Sequence, residues 1–204
     1  MITIVDYGVG NIGALTNMFE YLGLESVATA DAGRIMDAER LLLPGVGAFD
    51  KAMRELRSRR LVEPMDHAVR GRGAPVLGIC LGMQLLARGS EEGEEPGLGW
   101  LAADVVRIPQ PARSGLKVPH MGWSEISVVN PGPLFPAEAS GERFYFAHSY
   151  HVVCDDPRDT AATIRYGEEL ACAVRSGNVH GAQFHPEKSH RFGMRVLQAF
   201  ASTT

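Results

Sequence analysis

The chain has 204 residues, of which 45% are hydrophobic and 22% are charged, and its formal net charge is −4. This composition is ordinary for a globular protein, and a chain of this length buries about 70% of its unfolded surface on folding. The negative charge gives no electrostatic reason to expect nucleic acid or an anionic membrane as a partner. We expect a single domain over residues 1–204.

The sequence also predicts the cellular compartment of the protein. Apolar runs stay well below the roughly 18 residues of a membrane-spanning helix, and the start of the chain lacks a signal-peptide pattern. The three cysteines, Cys80, Cys154 and Cys172, show no disulfide-type spacing. We therefore expect a cytoplasmic protein whose cysteines stay reduced.

In the first half of the chain, short apolar runs alternate with helical patterns. Strands are predicted at residues 2–5, 25–29, 40–43 and 75–77. Helices are predicted through Leu15, Phe19 and Leu22, and then at residues 49–57, 61–70 and 83–88. The acidic, glycine-rich residues 89–99 predict a solvated loop rather than a metal site, because no His or Cys stands among the carboxylates.

The second half is rich in strands joined by short turns. Strands are predicted at residues 100–108, 126–129, 143–154 (one strand or a pair), 160–166, 170–175 and 179–184. A closing helix follows Ser189, a candidate N-cap. The whole pattern predicts an α/β fold, a three-layer flavodoxin-like mixed sheet flanked by helices, with the active site at the carboxyl ends of the parallel strands.

The first strand-to-helix turn contains a G-x-G-x-x-G pattern formed by Gly8, Gly10 and Gly13. Together with Asp31 after the second strand, it matches the outline of a dinucleotide-binding unit. A tight turn explains the same glycines without a ligand. We favour the turn, because a dinucleotide-binding module leaves two other motifs without a purpose.

The first of these motifs is Gly78-Ile79-Cys80-Leu81-Gly82, which lies between an apolar run and a helical pattern. It is the cysteine form of the nucleophile elbow, in which a strained turn presents the nucleophile and only glycine fits on either side. The start of the following helix favours a thiolate. A buried cysteine in an ordinary β-α unit is the alternative.

The second motif is His185-Pro186-Glu187 at the end of an apolar run. The proline keeps His185 extended, so the side chains of His185 and Glu187 are expected to point the same way. Nucleophile, base and base-orienting acid are the parts of a catalytic triad. We predict that Cys80, His185 and Glu187 form one.

These motifs resemble those of the class I glutamine amidotransferases, which release ammonia from glutamine and need no cofactor or metal. The segments at residues 44–47, 119–123 and 144–150 make the chain similar to the glutaminase subunits of imidazole glycerol phosphate synthase. In that family the strand-end segment Gly45, Val46 and Gly47 supplies part of the oxyanion hole, with the N–H of Leu81. The resemblance implies that Gln84 and the backbone at Ser149 and Tyr150 bind glutamine.

The resemblance also implies a partner, a separate (βα)8-barrel cyclase subunit that forms a heterodimer with this chain. There ammonia would be used to make imidazole glycerol phosphate and aminoimidazole carboxamide ribonucleotide in histidine biosynthesis. The implied interface and ammonia-exit residues are Asn11, His120, Met121, Trp123, Tyr145 and Lys188. Ser124 departs from the family, which usually has Asn there, so the contact at that position differs.

Two alternatives remain at this point. The chain fits, less well, a glutaminase subunit that serves anthranilate, formylglycinamidine or pyridoxal phosphate synthesis. The other alternative is the dinucleotide-binding module or a catalytically silent interaction module.

Overall fold

The computed structural model describes residues 1–109 and 115–203. Its strands are β1 (Ile2–Val5), β2 (Ser26–Thr29), β3 (Leu41–Gly45), β4 (Val76–Cys80), β5 (Ala103–Arg107), β6 (His120–Val128), β7 (Arg143–His148), β8 (Tyr150–Cys154), β9 (Thr160–Tyr166), β10 (Glu168–Ser176) and β11 (Val179–Ala182). Its helices are α1 (Ile12–Tyr21), α2 (Ala32–Met36), α3 (Phe49–Ser58), α4 (Val62–Asp66), α5 (Leu81–Leu85) and α6 (His190–Ala201). None of the helices in these two ranges is long and apolar enough to cross a membrane.

The sheet runs in the order β2-β1-β3-β4-β11-β10-β9-β6-β7. Strands β1 to β4 pair in parallel, and β11 joins β4 in parallel. From β11 onward the sheet continues through antiparallel pairs, and β5 and β8 pair with each other beside β10. The predicted flavodoxin-like α/β fold, with an antiparallel second half, is confirmed.

Side chains of the parallel strands alternate between two apolar cores, one on each face of the sheet. Val5 and Leu43 pack with buried residues of α3, α4 and α5. Ile4 and Leu42 pack with buried residues of α1 and α6. Because both faces are covered, these strands are continuous apolar runs in the sequence, which made them recognisable.

Several boundaries differ from the prediction. The helix predicted at residues 61–70 is α4 followed by a wider π-helical turn at His67–Gly71. The last predicted strand ends at Ala182, and the Phe184 ring stacks on Phe144 with centroids 3.9 Å apart. Strand β6 starts at His120, several residues before the predicted start, and the aromatic stretch 143–154 is the strand pair β7 and β8.

Ser189 stands at the N-cap of α6, but its hydroxyl makes no capping bond. It donates a hydrogen bond to the His185 carbonyl oxygen at 2.7 Å and accepts one from the Tyr145 N–H at 3.0 Å. The backbone N–H of His185 also donates to the Tyr145 carbonyl oxygen at 3.0 Å. These bonds tie the segment that carries His185 to β7.

The acidic segment at residues 89–99 is a loop of exposed and half-buried residues, as predicted, and it also packs against the start of α3. The Asp50 carboxylate accepts hydrogen bonds from the N–H groups of Glu94 and Glu95 at 3.2 and 3.0 Å. Arg57 pairs with Glu95. Within the described part of the chain, no three His, Cys, Asp or Glu side chains are grouped to hold a metal ion.

Buried His180 of β11 makes the stability of this sheet dependent on pH. Its side chain lies opposite Arg175 of β10 and is 5% exposed. Burial, and then the charge of Arg175, lower the pKa of His180 to about 4. Between that value and the ordinary pKa near 6.5, the unfolded chain binds a proton that the folded chain does not, so stability falls as pH falls.

We expect His180→Gln to flatten the pH dependence of the free energy of unfolding between pH 6.5 and 4.5, by up to about 1.4 kcal/mol per pH unit. Urea unfolding at several pH values measures this slope. The matched control is His67→Gln, which makes the same substitution at an exposed histidine. Parallel curves for the wild type and His180→Gln would contradict the assignment.

Candidate active site

Cys80 lies at the turn from β4 into α5. Its backbone has φ 55° and ψ −114°, a strained conformation for a residue with a side chain. A Cβ at Gly82 would overlap the Leu43 carbonyl oxygen, and a Cβ at Gly78 would lie 2.6 Å from the Gly82 carbonyl oxygen. The turn therefore has the geometry of a nucleophile elbow at the carboxyl edge of the parallel strands.

His185 reaches Cys80 because β11 is the neighbour of β4 in the sheet. The backbone of His185 is extended, as predicted, but residues Pro186–Lys188 form a 3-10 turn, so the following segment is not extended. The turn still brings the Glu187 carboxylate to His185, with Nδ1 and Oε1 2.9 Å apart. The Cys80 sulfur, the His185 imidazole and the Glu187 carboxylate are thus connected by hydrogen bonds.

The charged forms of these connected side chains stabilise one another. Burial alone would lower the pKa of His185, but hydrogen bonds to Cys80 and Glu187, and the charges of both, raise it to about 9. Burial opposes the charge of Glu187, yet the hydrogen bond to His185 and its charge hold the pKa of Glu187 below the ordinary value. An imidazolium next to the sulfur at neutral pH favours a thiolate, which is the reactive form of cysteine.

A cavity of about 450 Å³ opens onto Cys80. Of the residues predicted for the site, those that line it are Val46, Gly47, Cys80, Leu81, Gln84, Ser149, Tyr150, His185 and Lys188. The two other predicted residues of this site, Gly45 and Glu187, lie behind the residues that line the cavity. The cavity therefore brings together residues from both halves of the chain.

Gly45 holds the segment predicted for the oxyanion hole close to the elbow. It pairs with Cys80 in the sheet, and a Cβ at Gly45 would lie 2.7 Å from the Gly82 nitrogen. The Tyr7 hydroxyl donates to the Pro44 carbonyl oxygen at 2.7 Å. The chain then passes through exposed Val46 to Gly47, whose φ of 96° suits glycine.

The Gln84 side chain has both amide hydrogens engaged. Its Nε2 donates to the Tyr150 carbonyl oxygen at 3.1 Å and to Gln183 Oε1 at 3.0 Å. Only the Gln84 carbonyl oxygen is left for a ligand, so this side chain can accept a hydrogen bond from a substrate but not donate one.

Three polar side chains near the cavity are absent from the sequence-based prediction. Glu92 lines it, with Oε2 accepting from the Phe49 N–H at the start of α3 at 2.9 Å. His148 also lines it, and Gln183 lies behind Cys80. The polar Gln183 within an apolar run was the available signal, whereas Glu92 was one of four similar carboxylates in a segment interpreted as solvated.

The residues predicted for the interface include an exposed aromatic patch, formed by Met121, Trp123, Tyr145 and Lys188. Met121 is 66% exposed and Trp123 is 40% exposed. The Trp123 ring meets the Tyr145 ring edge-on at 6.0 Å, and the Lys188 ammonium lies over the Tyr145 ring, 5.4 Å from its centre. Asn11 is exposed at the start of α1, without a capping hydrogen bond.

His120 differs from these residues because it is only 4% exposed. Alternation along β6 turns it inward, beside Phe146, and its Nδ1 lies 3.2 Å from His148 Nε2. His120 is therefore not part of the exposed surface, and its predicted role at the interface or ammonia exit stays a prediction. The Ser124 hydroxyl lies 3.0 Å from His120 Nε2, so the residue at which the chain departs from the family contacts this buried ring.

We expect Gly82→Ala to disrupt the elbow. The new methyl group would overlap the Leu43 carbonyl oxygen, and the strain costs about 1–3 kcal/mol or more in the free energy of unfolding. Gly13→Ala is the matched control, because a Cβ there meets nothing within 4 Å and alanine favours the helix. Urea unfolding measures both variants, and a Gly82→Ala protein as stable as the wild type would rule out the close contact.

Solved structures share this fold. One described as a glutamine amidotransferase superposes with a TM-score of 0.72 over 99% of both chains, at 20% sequence identity. The PurLQS structure from Thermotoga maritima gives a TM-score of 0.71 over 98% of this chain and 96% of that chain, at 23% identity. At such identities the likeness concerns the fold alone.

Closer likeness is found in sequence. Imidazole glycerol phosphate synthase subunit HisH 2 of Pseudomonas aeruginosa is 46% identical over 200 residues, which cover 98% of each chain. The HisH subunit of Rhodopirellula baltica is 48% identical over 203 residues, covering 99% of this chain and 97% of that protein. The family model for class I glutamine amidotransferases matches residues 3–203. Fold and sequence agree, and the chain belongs to the class I glutamine amidotransferase family.

Proposed function

We propose that this chain is the glutaminase subunit of imidazole glycerol phosphate synthase and hydrolyses glutamine to glutamate and ammonia. The line from Cys80 through His185 to Glu187, at the base of an open cavity, supports the proposal most directly. Relatives that are 46% and 48% identical over nearly the whole chain carry the name of this synthase.

The reaction follows from the charges of the triad. The Cys80 thiolate attacks the γ-carboxamide carbon of glutamine and forms a tetrahedral intermediate. His185 gives its proton to the leaving nitrogen, ammonia departs, and a γ-glutamyl thioester remains. Water, deprotonated by His185, then hydrolyses the thioester to glutamate and regenerates Cys80. Glu187 orients the imidazole and stabilises its positive charge.

The negative oxygen of the tetrahedral intermediate needs fixed donors. We assign this role to the Leu81 N–H, directly after the nucleophile, and to the backbone at Val46 and Gly47. All three residues line the cavity. Gly45 lets this segment approach the elbow closely.

Recognition of glutamine is assigned to the remaining cavity residues. The Gln84 carbonyl oxygen and the backbone at Ser149 and Tyr150 hold the substrate's polar groups. Glu92 supplies a carboxylate in the same cavity, and we assign it to the positively charged α-amino group of glutamine.

The ammonia is proposed to pass to a separate cyclase subunit in a heterodimer. Its docking site is the exposed aromatic patch, together with Asn11. The relatives are named as subunits of a synthase, which fits a chain whose ammonia is used by another subunit. We propose the cytoplasm as the compartment, where the three free cysteines remain thiols.

Cys80 is expected to be the single nucleophile. Burial raises the pKa of Cys154 to about 11 and raises that of Cys172 as well, so both stay protonated at neutral pH. A glutamine-analogue electrophile such as diazo-oxonorleucine should add one label, located on Cys80 by mass spectrometry. Cys80→Ala should take no label, and Cys154→Ser serves as the matched control. Labelling of Cys154 or Cys172, or full activity in Cys80→Ala, would contradict the assignment.

Glutamine turnover should be slow until the cyclase subunit docks. An oxyanion donor misaligned in the segment through Val46 and Gly47 loses about 2.7–4 kcal/mol, or roughly a hundred- to thousand-fold in rate. Glutamate release is measured for the isolated chain, with the cyclase subunit, and with a ribonucleotide ligand added.

Two outcomes would count against this proposal. If the isolated chain matches the liganded complex, switching by the partner fails while the glutaminase assignment stands. If the complex makes imidazole glycerol phosphate from ammonium salts but not from glutamine, the function itself fails. The Cys80→Ala complex is the control, since it should use ammonium salts and lose only the reaction with glutamine.

A further inference from the structure

Gln183 makes a second polar contact with the nucleophile, in addition to His185. Its Nε2 lies 3.7 Å from the Cys80 sulfur, a distance that fits a hydrogen bond to sulfur. The side chain is 0% exposed, and its backbone N–H donates to the Cys172 carbonyl oxygen at 2.9 Å. A buried side-chain amide needs hydrogen-bond partners for both its carbonyl oxygen and its NH₂ group.

The orientation of the amide follows from a backbone carbonyl. The Tyr150 carbonyl oxygen can only accept, so Gln84 must direct its NH₂ group toward it, at 3.1 Å. The second hydrogen of that NH₂ group then points to Gln183 Oε1 at 3.0 Å. With its oxygen engaged by Gln84, Gln183 presents its own NH₂ group to the sulfur.

The Tyr150 carbonyl oxygen also determines the direction of a second series of hydrogen bonds. His148 Nδ1 lies 2.8 Å from the Tyr150 oxygen, so it carries the hydrogen, and Nε2 of this buried neutral ring accepts. His120 Nδ1 then donates to His148 Nε2 at 3.2 Å, which leaves His120 Nε2 to accept from the Ser124 hydroxyl at 3.0 Å. Burial lowers the pKa of His148 to about 3, which agrees with a neutral ring.

We propose that Gln183 is a further catalytic residue, which donates an N–H to the Cys80 sulfur and stabilises the thiolate. This inference rests on the proposed function of the site. Gln84 and the Tyr150 carbonyl are its positioning groups, and the chain from Ser124 through His120 and His148 holds that carbonyl. The donor favours the charged sulfur, both before attack and when the thioester is cleaved, because the thiolate is the stronger acceptor.

The test is the rate of Cys80 alkylation by iodoacetamide as a function of pH, in the full-length chain, with the modified residue located by mass spectrometry. Gln183→Met removes the donor at similar size. We expect the pH midpoint of alkylation to rise by about one unit, so that alkylation at pH values below the wild-type midpoint slows about tenfold. Other titratable groups at the sulfur, namely His185 with Glu187 and also Tyr7, remain in place. Gln198→Met, at an exposed site on α6, is the matched control and should match the wild type.

A second readout is glutamate release in the complex with the cyclase subunit. Because Gln183 is outside the cavity wall, kcat should fall about tenfold while KM stays unchanged. If Gln183→Met does not fold, Gln183→Asn keeps the amide but withdraws it from the sulfur, and the same shift is expected. A folded variant whose alkylation profile overlays the wild type would overturn the proposal. That result differs from failure of the proposed function, in which the wild-type complex itself would release no glutamate from glutamine.

Discussion

The site depends on the contact between the end of β3 and the turn that follows β4. The Gly82 α-carbon packs so closely on the Leu43 carbonyl oxygen that no side chain fits between them. This contact, with glycine also at Gly45, holds Cys80 in its strained conformation and keeps the oxyanion segment beside the sulfur. Backbone sterics, rather than any charge, thus position the nucleophile.

Electrostatic interactions then set the protonation states of the two histidines near the sulfur. His185 is charged because two partners outweigh its burial, whereas His148 is neutral because burial outweighs its single carbonyl contact. The two imidazoles sit close enough to repel each other if both were charged. In the proposed mechanism the ring of His185 carries a proton to the substrate, whereas the ring of His148 only transmits hydrogen-bond direction.

The parts predicted well were those encoded by contiguous residues. The elbow around Cys80 and the His-Pro-Glu segment are local motifs, and the parallel strands are apolar on both faces. The missed parts depend on contacts between distant residues, such as Glu92 with Phe49 or Gln183 with Cys80, which are 43 and 103 positions apart. The burial of His120 could not be predicted either, because a motif shows residue types but not which face of β6 is buried.

The position of β11 has a consequence for how the protein is made. This strand is synthesised after the ten other described strands, yet it inserts in the middle of the sheet between β4 and β10. The thiol at Cys80 leaves the ribosome long before its base, so a nascent or truncated chain carries the nucleophile without the group that ionises it. The order of synthesis thereby separates the appearance of the thiol from its pairing with His185, which requires β11 to be inserted beside β4.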